Sequence, residues 1–236
     1  MRIKIVENIR KELGAKIDKK YKHGLINFFT EEVRPHGVRT GEARKIGAKY
    51  WREIKSENKA EIWKLCDKLW RSGWFEEGII AIDWSWRMKK DFGREDMSVF
   101  ERWLKKYVKN WAHCDDFCTH TMGYFMTTYP EFLGKLDEWT ESKNRWLRRA
   151  AGASLVYPLT KESKYLGKIF EIADTLLEDE DDLVRKGYGW MLKEASNVYP
   201  KKVFDYVMRK KDKMPRVVLR YAIEKMTKSW KERAMA

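Results

Sequence analysis

Apolar residues recur three and four positions apart along almost the whole chain, and no window sustains the strict alternation of a half-buried strand. Ile62, Leu65, Cys66, Leu69 and Trp70 share one helical face. Val99, Phe100, Trp103, Leu104, Tyr107 and Val108 form a second stripe, and Tyr165, Leu166, Ile169, Phe170, Ala173, Leu176 and Leu177 a third. Val203, Phe204, Val207 and Met208 make a fourth, and all are predicted to face a core. Breaks are signalled at Ser72-Gly73, Phe92-Gly93 and Ser142-Lys143-Asn144. Pro158 and Pro200 are expected to follow helical runs, and Pro215 suits a first helical position. The pattern predicts an all-α array of about eleven or twelve helices with short connections. No Gly/Ser/Pro-rich linker interrupts it, so residues 1–236 are expected to form a single domain.

A longer period overlies the helical one. Trp146-Leu-Arg-Arg149-Ala-Ala, Leu183-Val-Arg-Lys186-Gly-Tyr and Val217-Val-Leu-Arg220-Tyr-Ala each place a cation after apolar residues. Asp115, Arg149, Lys186 and Arg220 are separated by 34, 37 and 34 residues, the spacing of helix pairs in an α-solenoid. The three segments are therefore expected to be second helices of successive pairs, stacked side by side with their cations in a stripe. The acidic run Glu178-Asp-Glu-Asp-Asp182 immediately precedes one of them, where carboxylates cap free N–H groups and suit the helix dipole.

Charge changes the picture from scaffold to binder. Lysine and arginine number 50 against 36 acidic residues, a net charge of +14 that suggests a polyanionic partner. Three cysteines do not make a disulfide framework and fit a reducing compartment. Charges interrupt the N-terminal segment too closely for a signal peptide, and no apolar run reaches the length of a membrane span. A cytoplasmic, intracellular location is the expectation.

Candidates for chemistry are sparse. His113, Cys114, Cys118 and His120 crowd into eight residues, but they lack two separated ligand pairs, and one helix cannot easily wrap all four around a tetrahedral ion. Two small buried thiols and two surface imidazoles are expected instead, with no metal. The chain has no P-loop, dinucleotide fingerprint, nucleophile elbow or His-Glu-x-x-His.

What remains is Trp111 with Asp115 one helical turn on, and Trp146, Arg149 and Trp190 at repeat-related places. The segments Asn110-Trp-Ala-His-Cys-Asp115, Trp146-Leu-Arg-Arg149-Ala-Ala and Gly187-Tyr-Gly-Trp190-Met-Leu resemble the AlkD-like DNA alkylation-repair glycosylases in content, order and separation. The resemblance runs from about residue 25 to about 230 and is strongest over 110–200. It implies a right-handed superhelix of HEAT-like repeats gripping duplex DNA that contains alkylated bases, and excision of cationic N3- and N7-alkylated purines without a cofactor. Asp115 resembles the family's catalytic carboxylate, Trp111 and Trp190 its aromatic walls, and Arg149 the cation holding the DNA backbone. Trp146 and Arg148 fall in the same motif, whereas Arg185, Lys186, Arg216 and Arg220 are candidate phosphate contacts by repeat position. The family's N-terminal phenol has only Phe28 or Phe29 as a counterpart here. The segment Gly37-Val-Arg-Thr-Gly-Glu-Ala-Arg44 is similar to the family's early helix start. The expected partner is duplex DNA, met as a monomer. The rival expectation is a HEAT-like scaffold that binds nucleic acid or an acidic protein and catalyses nothing.

Overall fold

The computed structural model describes residues 2–159 and 162–236. All the regular structure among the described residues is helical, apart from one isolated bridge between Arg34 and Trp74. The chain packs as two compact units, Met1–Asp116 and Phe117–Ala236. The division falls inside a helix, so no linker composition could have marked it.

The first unit contains α1 (Arg2–Gly14), α2 (Lys19–Phe28), α3 (Thr40–Ile54), α4 (Lys59–Arg71), α5 (Phe75–Arg87), α6 (Asp96–Lys106) and α7 (Trp111–Phe117). Its centre is α5, buried continuously from Phe75 to Ser85 and packed against both α3 and α4. Two glutamates in its first turn, Glu76 and Glu77, are fully buried, and each is answered in full. Glu76 accepts the backbone N–H groups of His36, Gly37 and Val38 at 2.8–2.9 Å, which pins the approach to α3. Glu77 pairs with Arg10 of α1 at 3.0 Å and with His36 Nε2 at 3.2 Å. Burial pushes the Glu77 carboxyl up, but hydrogen bonds from His36, Arg10 and Ser72 outweigh it and hold the group below its ordinary range. Several tryptophans are core residues whose indole N–H finds a partner: Trp63 donates to Asp96 at 2.7 Å and Trp84 to the Gly47 carbonyl at 2.9 Å.

The second unit contains α8 (Gly123–Thr128), α9 (Gly134–Thr140), α10 (Arg145–Ala153), α11 (Val156–Leu159), α12 (Leu166–Thr175), α13 (Asp182–Val198), α14 (Pro200–Lys210), α15 (Arg216–Ala222) and α16 (Lys228–Met235). A π-helical turn, Cys118–Met122, joins α7 to α8. The repeat predicted from the 34–37-residue spacing is present here: α9 pairs with α10, α12 with α13 and α14 with α15, while α13 packs between α10 and α15. Asn144 caps α10 through Trp146 N–H at 2.9 Å, and Asp181 caps α13 through Leu183 N–H at 3.0 Å. The acidic run thus serves as a helix cap, and it also binds α10 through Arg145–Asp181 at 2.7 Å and Arg148–Asp179 at 2.6 Å.

The described residues form sixteen α-helical segments rather than eleven or twelve, because short pieces such as α11 break what periodicity alone joins. Pro158 does not follow a helix but sits within α11. Pro200 opens α14, and Pro215 occupies the cap position just before α15.

Candidate functional site

The face to build first lies in the first unit, at the start of α7. Asn110 caps the helix by accepting the His113 N–H at 2.9 Å, and Trp111 and Asp115 come next, one turn apart on a single face. Both are half-buried. Against Trp111 lies the end of α2: Phe28 meets its ring edge-on at 5.8 Å between centroids, and Phe29, the next residue, lies tilted to it at 5.4 Å. The two phenylalanines have different fates. Phe29 is buried with Phe75 and Ile79, whereas Phe28 is 65% exposed. Of the two candidates for the aromatic beside Trp111, Phe28 is therefore the one displayed to solvent, and it brings no hydroxyl.

Asp116, the neighbouring carboxylate, is engaged by Arg44 of α3 at 2.6 Å. Arg44 also approaches Asp83, which Arg87 holds at 2.7 Å, so Asp116 belongs to a lattice of ion pairs between α3, α5 and α7. Turned about 100° from its neighbour, Asp115 remains on the Trp111 side of the helix.

His113 corrects the expectation of a surface imidazole. It is buried, stacked on Phe75 at 4.8 Å and edge-on to Trp70 at 5.3 Å. Its Nε2 lies 2.8 Å from the Phe75 carbonyl, which can only accept, so Nε2 carries the proton and Nδ1 accepts from the Asn110 amide at 3.1 Å. Nε2 thereby holds α7 to α5, while Nδ1 ties the ring to the cap residue of its own helix. Burial depresses its pKa to about 4. Cys114 and Cys118 are fully buried thiols, as expected.

In the second unit the cations expected to form a stripe are not equivalent. Arg149 is only 6% exposed; its stem runs against Gly187, and its Nη1 donates to the Leu183 carbonyl near the start of α13. Trp146 is likewise 6% exposed and belongs to the interior. Arg148 is spent on Asp179 and on the Ser142 carbonyl at 2.8 Å, and Arg185 donates to the Asp179 carbonyl. Arg148 of α10 and Arg185 of α13 thus meet at Asp179, just before α13, and Trp146 packs inward from α10. Sequence pattern could not separate them from displayed cations, because a helix presents a new residue every 100° and the repeat marks position, not exposure. Lys186 is partly exposed and pairs with Asp182 at 2.7 Å, which raises its pKa. Arg216 and Arg220 are exposed, beside Tyr221 and Glu224, around a cavity of about 440 Å³. Trp190 is half-buried and donates its indole N–H to Glu194 at 3.1 Å.

A sequence profile of the DNA alkylation repair enzyme family matches residues 9–226. The chain belongs to that family. This DNA alkylation repair family member also shares its fold with solved structures. A predicted DNA alkylation repair enzyme from Enterococcus faecalis superposes with a TM-score of 0.80 at 14% identity, covering 90% of this chain and 98% of that one. AlkD2 from Streptococcus mutans gives 0.62 at 21% identity, over 80% and 91% of the two chains. The structure of smu.31 from Streptococcus mutans UA159 gives 0.59 at 20% identity, over 80% and 99%. No curated protein matches the chain. Among the described residues no helix is long and apolar enough to cross a membrane.

Proposed function

We propose that this family member is a monomeric, intracellular DNA glycosylase that hydrolyses the N-glycosidic bond of cationic N3- and N7-alkylated purines in duplex DNA. The observation that carries the reading is one face of α7, where the Asp115 carboxylate stands one turn from Trp111, itself flanked by the exposed ring of Phe28. A purine alkylated at N3 or N7 already bears a positive charge. When its bond to C1′ breaks, the bonding pair goes to the base, which departs neutral and needs no general acid. Positive charge develops on the sugar as an oxocarbenium ion. Water then adds its oxygen to C1′ and gives a proton to solvent, so the reaction consumes only water and requires no metal or organic cofactor.

Asp115 has the chemistry this path needs: a carboxylate that stabilises the sugar cation and orients the water. Indole faces attract cations, each contact contributing about 0.5–2 kcal/mol. An uncharged purine would leave as an anion and meet a carboxylate instead of a donor, which makes the site selective for cationic lesions. Trp190 is assigned to the lesion nucleotide and Arg149, Lys186, Arg216 and Arg220 to the DNA backbone. For Arg149 that assignment requires its guanidinium to reach DNA from a buried start.

Duplex DNA treated with a methylating agent, incubated with wild type and Asp115→Asn, provides the test. Wild type is expected to release 3-methyladenine and 7-methylguanine, with the variant slower by roughly a hundredfold or more. Equal release by both removes Asp115 from its role. Release by neither, with DNA still bound, leaves a non-catalytic DNA-binding member of the family.

A further inference from the structure

The placement of Phe28 needs an explanation that α2 itself does not provide. No residue of α2 is fully buried; Leu25 packs against the small core of Phe29, Phe75 and Ile79, but Phe28 is the last residue of the helix, so α2 gives that ring limited support against Trp111. The three residues after Phe28 supply the restraint. Phe29 inserts into the small core with Phe75 and Ile79. Two residues later Glu31 accepts the backbone N–H of Trp111 at 3.2 Å, a contact between positions 80 residues apart. Its other carboxylate oxygen receives the Thr30 hydroxyl at 3.0 Å, which restricts the side chain further.

That N–H belongs to the first turn of α7, where backbone donors have no partner within the helix. Asn110 satisfies His113 N–H, and Glu31 satisfies Trp111 N–H from a different part of the chain. No acidic residue lies in the first turn of α7, so Glu31 also supplies the negative charge that a helix N-terminus favours. One carboxylate thus fastens the segment bearing Phe28 to the helix bearing Trp111 and Asp115.

We infer that Glu31 is a positioning residue: through the Trp111 N–H it sets the register of Phe28 and Trp111, and with them the orientation of the helix turn that carries Asp115. The inference rests on the glycosylase reading for its consequence in catalysis, but the contact itself can be tested without it. Glu31 touches neither base nor sugar in this role.

The experiment uses the full chain and three substitutions. Glu31→Gln keeps an oxygen acceptor at the same reach; Glu31→Ala removes it, and Glu31→Asp is one methylene too short. Hydrogen exchange at the Trp111 amide and the Phe28–Trp111 ring contact are read by NMR, and base release is measured on methylated duplex. In Glu31→Ala and Glu31→Asp the Trp111 amide should exchange on the order of tenfold faster and the ring contact weaken. The kcat should fall by roughly tenfold with KM little changed, because the reacting groups are misplaced while most DNA contacts persist. Glu31→Gln, which keeps the acceptor and loses only the charge, should stay within about fivefold of wild type in amide exchange and keep the ring contact and kcat. An unchanged amide and ring contact in the Ala and Asp variants overturns the inference, as does a Gln variant as impaired as Ala. If wild type releases no base, the glycosylase reading fails, while the amide and ring contact still decide the role of Glu31.

Discussion

A histidine buried with both nitrogens engaged behaves as a neutral structural group, and His113 shows how that couples to pH. Its Nε2–H is committed to the Phe75 carbonyl, and its Nδ1 accepts from Asn110, so a second proton has to displace a donor as well as enter an apolar site. The folded pKa of about 4 lies below the ordinary value of 6.5. Between those values the unfolded chain binds more protons than the folded one, so stability rises with pH across this window. The contribution is complete above the unfolded pKa and is lost as pH falls toward the folded one; it amounts to on the order of 3 kcal/mol. Urea unfolding measured from pH 7 down to pH 4.5 should show this decline, and His113→Gln should flatten it. Equal slopes in the two proteins would assign the decline to other groups. At the same scale, the placement of Trp111 and Asp115 on one helix face was legible from their spacing of four residues. Glu31 was not legible, since its hydrogen bond to Trp111 joins residues 80 positions apart.

Between elements, the decisive contacts are close approaches of helix backbones. At Gly189 of α13 an added Cβ would lie 3.1 Å from Tyr221 Cβ and 3.3 Å from Val218 Cα, both on α15. A backbone atom cannot rotate aside as a side chain can, so Gly189→Ala should separate α13 from α15 and cost about 1–3 kcal/mol. Gly24 of α2 is the contrasting case, with nothing within 4 Å of the added atom. Gly24→Ala should stabilise the helix by up to about 1 kcal/mol, through helix propensity and a less free unfolded chain. Thermal and urea unfolding of the two variants check both signs, and a neutral Gly189→Ala would mean that the helices can part without loss. The helix pairs themselves were readable from the 34–37-residue period. The π-helical turn after α7 was not, because one extra residue per turn leaves no mark on a pattern read at a period of 3.6.

At the scale of the molecule the excess of 14 positive charges acts as a field, and the ion pairs decide which cations remain available to a polyanion. Arg216 and Arg220 are exposed, whereas Arg148 and Arg185 are bound to the scaffold around Asp179. DNA affinity should therefore fall steeply with salt, and Arg216→Ala or Arg220→Ala should each lower the slope of log K against log salt by about 1. Fluorescence anisotropy with a duplex probe at several salt concentrations measures this. A shallow slope in wild type would favour an acidic protein as the partner, and an unchanged slope in both variants would take these arginines off the DNA face.

The chain's pattern alone determined an all-helical fold, a helix-pair repeat in its second half, the identity of most core residues, and the Trp111–Asp115 pair. These come from local periodicity, which burial of one helix face imposes on every few residues. Tertiary structure decided which cations are displayed and which are buried, as with Arg220 and Arg149, and which of Phe28 and Phe29 faces solvent. It also decided that His113 is core and that Asp116 is held by Arg44. Those outcomes depend on partners supplied from distant segments, and a residue's own neighbours in sequence carry no trace of them.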